Sequence, residues 1–286
     1  MAKQYVAVVG RFQILAQPRS AGFSAPVTAQ GAHALYGPPP WRFEGWSTSA
    51  VLKFDPDRVK DIIPEPLKLA GDPVCRLSLH DIICDYGFGR AFTQENPDQV
   101  NFHEAIVGLL VEHDGQLGQW CPYSWCSTDA EFAVGREYYG WPQKMGEMSL
   151  TRRPLKGWEV GDTVTALVTR GRRAVFDMSF QVERQGDLET PGSFPDQSKA
   201  GNYFTETALP LPGEPLEIER RMVATQMQEL WVDDIWSGSA ALNIVAPELE
   251  FLTDAEVIGG RWHEIGWVKP YPDRVVASRT ESVGMG

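Results

Sequence analysis

Apolar and polar residues alternate from Trp46 through Ser47, Thr48, Ser49, Ala50, Val51 and Leu52 to Phe54 closely enough to predict a strand. Asp55-Pro56-Asp57 then supplies a cap and a first-turn proline for a short helix to Ile63, which Pro64-Glu65-Pro66-Leu67 ends. Further strands are predicted over residues 74–84, 105–112, 119–127, 163–169, 174–183, 217–231 and 255–258, several of them bounded by glycine, proline or aspartate. Strands do not alternate with long amphipathic helices, and the helical content is low. The pattern predicts an α+β fold, predominantly antiparallel β, closed as a barrel or packed as a sandwich. Residues 1–36 read as an N-terminal arm. The run Tyr36-Gly37-Pro38-Pro39-Pro40-Trp41 leads, extended, into a single domain spanning 37–286. The polar interval 185–202, rich in Gly, Pro, Ser and Asp, reads as a loop or lid.

Composition narrows the function classes. A chain of 286 residues, 43% hydrophobic and 22% charged, can bury a sizeable core. Its net charge of -12, with no basic run, excludes a phosphate-backbone partner. The same acidity repels anions, so a pocket for an acidic substrate needs local positive potential from a few residues. No apolar run is long enough for a membrane span, and the stretch after Tyr5 is too short for a signal sequence, so a cytoplasmic protein is expected. Cys75, Cys84, Cys121 and Cys126 form no CxxC pair and are expected as buried thiols. The five histidines have no metal-ligand spacing, Gly87-Phe88-Gly89 lacks the surroundings of a phosphate loop, and no GxSxG elbow occurs. Neither metal nor cofactor is expected.

The most informative segment is Gly135-Arg136-Glu137-Tyr138-Tyr139-Gly140-Trp141-Pro142-Gln143-Lys144-Met145-Gly146. With Pro38-Pro39-Pro40, Ile63-Pro64-Glu65-Pro66-Leu67, Phe102-His103-Glu104-Ala105 and Trp236-Ser237-Gly238-Ser239, it resembles the acetoacetate decarboxylase family in the order of landmarks from Pro38 to about Val257. The resemblance implies a β-barrel or cone with few short helices, a homo-oligomer, and a pocket where a lysine and a glutamate act on a keto acid. In that family the segment carries two lysines, the first forming a Schiff base. Here Gln143 takes the first place and Lys144 the second.

An amine attacks a ketone only when unprotonated, and an ordinary lysine is almost fully protonated at neutral pH. Desolvation or a neighbouring cation must lower its pKa, an activation for which acetoacetate decarboxylase is itself the standing example. The resemblance makes Lys144 the candidate amine, activated by burial among Trp141, Tyr139 and Trp125 or by nearby Arg136. In an extended segment, however, Gln143 facing the substrate turns Lys144 to the other side. Glu104, beside an apolar strand, is the candidate general acid/base. The candidate substrate-binding residues are Gln143, Trp141, Tyr139, Trp125, Tyr123, Trp46 and Arg136. The family's carboxylate-holding arginine has no clean counterpart, since Arg42 lies early and Gly45 or Trp46 takes the place. A further family carboxylate is replaced by Ser78 or His80. These departures predict a carbonyl substrate larger than acetoacetate and a lyase, decarboxylase or aldolase-dehydratase reaction of secondary metabolism. Two rivals stand beside it: a non-covalent isomerase, cyclase or hydrolase in which Gln143 and Lys144 donate hydrogen bonds, and a non-catalytic binding protein.

Overall fold

The computed structural model describes residues 35–187, 202–211, 216–270 and 274–283. The expected arm, 1–36, lies outside them but for Leu35 and Tyr36, and so does most of the expected lid, 188–201. Tyr36 is buried and its hydroxyl donates to Glu137 Oε2 at 3.0 Å, which ties the start of the domain to the segment 135–146.

Sixteen strands are described. The first half comprises β1 (Trp41–Lys53), β2 (Lys68–Leu69), β3 (Val74–Cys84), β4 (Asn101–His113), β5 (Gln116–Cys126), β6 (Gln143–Met145), β7 (Glu147–Leu150) and β8 (Thr163–Arg170). The second comprises β9 (Arg173–Gln181), β10 (Arg184–Gln185), β11 (Asn202–Leu211), β12 (Leu216–Gln226), β13 (Gln228–Gly238), β14 (Ala240–Ile244), β15 (Glu256–Lys269) and β16 (Arg274–Val283). Helices are short: α1 (Arg90–Glu95), α2 (Pro97–Val100), α3 (Asp129–Ala133), a π-helix continuing α3 over Val134–Tyr139, and 3-10 turns at Pro56–Val59 and Pro247–Leu252. The Asp55 carboxylate caps the first of these turns by accepting from the Asp57 N–H, as the sequence predicts. No described helix is long and apolar enough to cross a membrane.

The large sheet runs β10-β13-β15-β1-β3-β4-β5-β11-β12-β16, with β2 on β4 and β6 on β5. A smaller sheet runs β14-β9-β8-β7. Pairing is antiparallel except where β6 and β11 lie parallel to β5. Among the described residues the large sheet is an open path, since no pairing joins β10 to β16, and the closed barrel expected from the sequence does not form. Two long strands also replace the expected 217–231 strand, with a break at Met227, and the expected 255–258 strand is only the start of the fourteen-residue β15.

The central strands β15, β1, β3 and β4 fix everything else, because successive side chains of a strand point to opposite faces. One face carries Ala50, Leu52, Leu77, Leu79, Ala105 and Val107 into the main core. The smaller sheet meets them with Met148, Val168, Phe176 and Met178, and the Pro247–Leu252 turn closes the end with Leu249 and Leu252. The opposite face carries Phe43, Ser47, Arg76, Ser78, His80, Glu104, Ile265 and Trp267, and α3 with its π-helix packs on it through Ala130, Ala133, Val134 and Tyr139. In β3 the two faces read directly from Arg76-Leu77-Ser78-Leu79-His80.

Leu79→Ala, which empties the main core, lowers unfolding stability by about 2–5 kcal/mol. Ser78→Ala removes only a hydroxyl hydrogen-bonded to His80 Nε2 at 3.0 Å and costs about 1 kcal/mol. Denaturant unfolding of the two variants measures the difference between the faces.

Candidate active site

Strand register places the polar residues of the second face in rows. Glu104 of β4 lies opposite His80 of β3, His80 opposite Ser47 of β1, and Ser47 opposite His263 of β15. Further along β15, Ile265, Trp267 and Lys269 follow on the same face. A pocket opens there, lined by Glu104, Glu131, Lys269, Arg76, His80 and Gln119 among the aromatic rings of Phe43, Trp141, Tyr203 and Trp267.

Gln143 stands behind this lining and joins two carboxyl groups. Its Nε2 donates to Glu104 Oε1 at 2.7 Å and to Glu131 Oε1 at 3.2 Å. Tyr86 Oη donates to the other Glu131 oxygen at 3.2 Å. The segment 135–146 is built to hold that amide. Arg136 Nη1 donates to the Gln143 carbonyl at 3.0 Å, and the Trp141 N–H donates to the Gly135 carbonyl at 2.9 Å. Gly135 has to be glycine, because a Cβ there would stand 1.9 Å from Gln143 Oε1. Gly140 ends the π-helix in the left-handed region at φ 72°, and a Cβ there would stand 2.7 Å from the Glu206 carbonyl. A π-helix at this point displaces the chain by one extra residue per turn, an irregularity common at functional sites.

The electrostatics follow from burial. Desolvation, then repulsion from Glu131, pushes the Glu104 carboxyl up from 4.5 to about 8, against the Lys269 charge and the Gln143 hydrogen bond. Glu131 is also raised, by burial first, with Lys269, Gln143 and Tyr86 acting in the opposite direction. Burial lowers the Lys269 ammonium, opposed by both glutamates. At the other end of the face, burial and the Arg76 charge pull His80 down to about 3, and burial, Arg261, Arg76 and His80 hold His263 well below its ordinary value. Both imidazoles are therefore neutral beside the guanidiniums of Arg76 and Arg261, and Arg76 Nη2 donates to Gln119 Oε1 at 3.0 Å. One end of the pocket carries fixed positive charge, and the other carries proton-exchanging carboxyls. No group of three or more His, Cys, Asp or Glu among the described residues could hold a metal ion, and the four cysteines are buried and free.

The sequence candidates separate under this geometry. Glu104 and Trp141 line the pocket, Tyr139 lies buried beside it, and Gln143 supports it from behind. Lys144 does not reach it. Parallel pairing of β6 with β5 sets Gln143 opposite Ser124 and Lys144 opposite Trp125, so Lys144 turns to the other side of the sheet, where Nζ meets Glu248 Oε1 at 3.0 Å. Tyr123 is outside the lining, 5.7 Å from that ammonium, and Trp125 lies in the main core against Phe176. Trp46 packs on Trp158 and Trp262 away from the pocket, and Arg136 stacks on Phe132 at 5.5 Å while holding backbone. Lys269, Glu131, Arg76 and Gln119 were not among the sequence candidates. Alternation in Arg76-Leu77-Ser78-Leu79-His80 contained the signal for Arg76, whereas Lys269 lies beyond the last recognisable landmark.

Comparison with known proteins agrees with this architecture. The family model described as "Acetoacetate decarboxylase (ADC)" matches residues 24–271. The acetoacetate decarboxylase of Burkholderia ambifaria (strain MC40-6) is 25% identical over 247 residues, covering 84% of this chain and 87% of the relative. Among solved structures, an acetoacetate decarboxylase-like enzyme from Sphingomonas wittichii RW1 superposes with a TM-score of 0.79 at 23% identity, over 92% of this chain and 100% of that one. The enduracididine biosynthesis enzyme MppR superposes with a TM-score of 0.71 at 23% identity, over 94% and 98%. The chain belongs to the acetoacetate decarboxylase family. It is an enzyme of lyase type, with the family's α+β fold.

A carboxyl raised to about 8 is neutral in the folded state between pH 4.5 and 8, where the unfolded chain has already lost the proton. Its contribution to stability is complete below pH 4.5 and is lost as pH rises through 8. Glu104→Gln removes this dependence, so the variant gains on the wild type as pH rises through that window, by up to about 1.4 kcal/mol per pH unit. Thermal unfolding of both proteins from pH 4 to 9 measures the gap.

Proposed function

We propose that this enzyme breaks or forms a carbon-carbon bond, or eliminates water, in an oxo acid larger than acetoacetate, using a lysine and Glu104. The observation that carries the reading is the Glu104 carboxyl. It is buried in a pocket wall, raised to about 8 and linked through the Gln143 amide to a second carboxyl, Glu131. A group with that pKa gives and takes protons near neutrality, which α-carbon chemistry next to a carbonyl requires. Arg76 supports an acidic substrate, because its planar fork suits a carboxylate and supplies positive potential inside a protein of net charge -12. The rings of Phe43, Trp141, Tyr203 and Trp267 favour a flat or aromatic remainder on that substrate. MppR, whose fold this chain shares, has been solved with pyruvate and with the condensation product of pyruvate and imidazole 4-carboxaldehyde, a ligand of that general shape.

The rival in which Gln143 and Lys144 donate to an enolate oxygen has less support. The Gln143 amide is occupied by two carboxyls, and Lys144 is paired with Glu248. Turnover is sought with a panel of 2- and 3-oxo acids, and with pyruvate plus aromatic aldehydes. On the best substrate, Glu104→Gln lowers kcat by about 10²–10⁴-fold with little change in KM. Lys144→Met changes kcat by less than about fivefold, the scale of a half-exposed ion pair. Full activity in Glu104→Gln removes the proposal.

A further inference from the structure

The position that carries the family's first lysine is Gln143, and the second, Lys144, faces away, so the site needs its amine from elsewhere or does without one. Of the lysines among the described residues, Lys269 is the buried one, 7% exposed at the end of β15. Its Nζ lies 3.8 Å from the centre of the Tyr139 ring, 4.9 Å from that of Trp141 and 6.0 Å from that of Phe43. It lines the same pocket as Glu104 and Glu131, and register with Trp41 puts it on the face that carries them.

We infer that Lys269 is the amine that forms an imine with the substrate carbonyl, supplied by the end of β15 in place of the segment 135–146. The inference rests on the oxo-acid reading above and assigns a second residue to that chemistry.

Two other roles for Lys269 fit the geometry less well. A structural countercharge to Glu104 and Glu131 would form a close ion pair, and no carboxylate lies within 4.0 Å of Nζ among the described residues. A plain core position would take leucine or methionine on this aromatic floor, since burying an ammonium without a carboxylate partner costs more than the ring faces return. An amine whose burial among these rings disfavours its charged form, and which lines the same pocket as an exchanging carboxyl, is instead placed to attack a carbonyl.

The chemistry balances with groups of this chain. The Nζ lone pair attacks the carbonyl carbon, the C–N bond forms, and the carbonyl π pair moves to oxygen, which takes a proton from a pocket carboxyl. The carbinolamine then loses water, with a second proton going to its hydroxyl and the amine proton returning to a carboxylate, to leave the iminium. When the bond from the α carbon to its substituent breaks, its electron pair forms the double bond of an enamine and the C=N π pair passes to nitrogen, while the departing carbon leaves as carbon dioxide or as an aldehyde whose hydroxyl proton passes to a carboxylate. Glu104 protonates the enamine carbon, and water hydrolyses the iminium to free Lys269. Gln143, between Glu104 and Glu131, allows one carboxyl to hold a proton while its partner accepts one.

The test is reductive trapping on the intact wild-type chain. The protein is incubated at pH 7 with pyruvate, or with phenylpyruvate, and sodium borohydride, then digested and read by mass spectrometry. The expected result is a carboxyalkyl-amine adduct on the peptide containing Lys269, in large excess over the peptide containing Lys144. Absence of adduct at Lys269 with both probes, or an adduct concentrated at Lys144, overturns the inference. Turnover on the oxo-acid panel is scored separately with Lys269→Met and Lys269→Gln, each checked for a wild-type thermal transition. Turnover that survives folded Lys269 variants but not Glu104→Gln overturns the Lys269 assignment and leaves the oxo-acid reading standing. An adduct at Lys269 without turnover on any oxo acid retains Lys269 as the amine and overturns the reaction class.

Discussion

Two carboxyl groups buried on one side chain's amide are the constraint around which this site is arranged. Glu104 and Glu131 are both buried on the same donor, so the charge of one disfavours the charge of the other, Glu104 keeps its proton near neutrality, and the pair becomes a store of exchangeable protons. Each neighbour answers that demand: Gln143 donates to both, Tyr86 donates to Glu131, and Lys269 lines the same pocket from the aromatic floor. A protonated lysine at position 143 would place an ammonium directly against these carboxyls and favour their ionised forms. A neutral amide leaves their protons mobile, and the lysine of the pocket lies on another strand.

The segment 135–146 therefore keeps its architecture while changing its product. Gly135 leaves room for the side chain of residue 143, Arg136 grips its carbonyl, and Gly140 turns the chain beneath β11, where Thr205 Oγ1 donates to the Tyr139 carbonyl. Each of these contacts positions a backbone or a side-chain volume, and none depends on whether residue 143 ends in an ammonium or an amide. Shape and chemistry are separable here, which is why a segment so close to the family's pattern can serve a site with a different charge arrangement.

Much of the architecture was legible where local pattern and tertiary role agree. β3 runs over the predicted 74–84 because Pro73 and Asp85 bound it and both faces show in its alternation. Glu104 was legible through its flanking residues. β15 was legible only over its first residues, because Gly259-Gly260 interrupts the apolar pattern after Ile258. Gly260 is instead a close-packing position, where a Cβ would stand 2.5 Å from Phe180 Cβ, and the strand continues through it to Lys269. Glu131 is hidden differently. Thr128-Asp129-Ala130-Glu131 has the form of a capping box, and the Thr128 hydroxyl does cap α3, yet the Glu131 carboxyl accepts from Gln143 and Tyr86 rather than from the cap. Its partners come from residues far along the chain, and no local pattern reports them.

The same limit explains why the lysine question could be posed from the sequence but not answered there. Alternation alone dictates that Gln143 and Lys144 take opposite faces, and it is indifferent to which one faces the pocket. That choice is made by pairing with β5: Gln143 joins the face of Ser124 and Ile106, while Lys144 joins that of Trp125 and Ala105 and ends at Glu248 beyond the main core. Register between strands also brings Lys269 of β15, three strands away from Glu104 across β1 and β3, to the same face as the carboxyls. A sheet that commits one whole face to a pocket can draw a cation from any strand that crosses it, so the fold tolerates movement of a charged group from one strand to another as long as the face is kept.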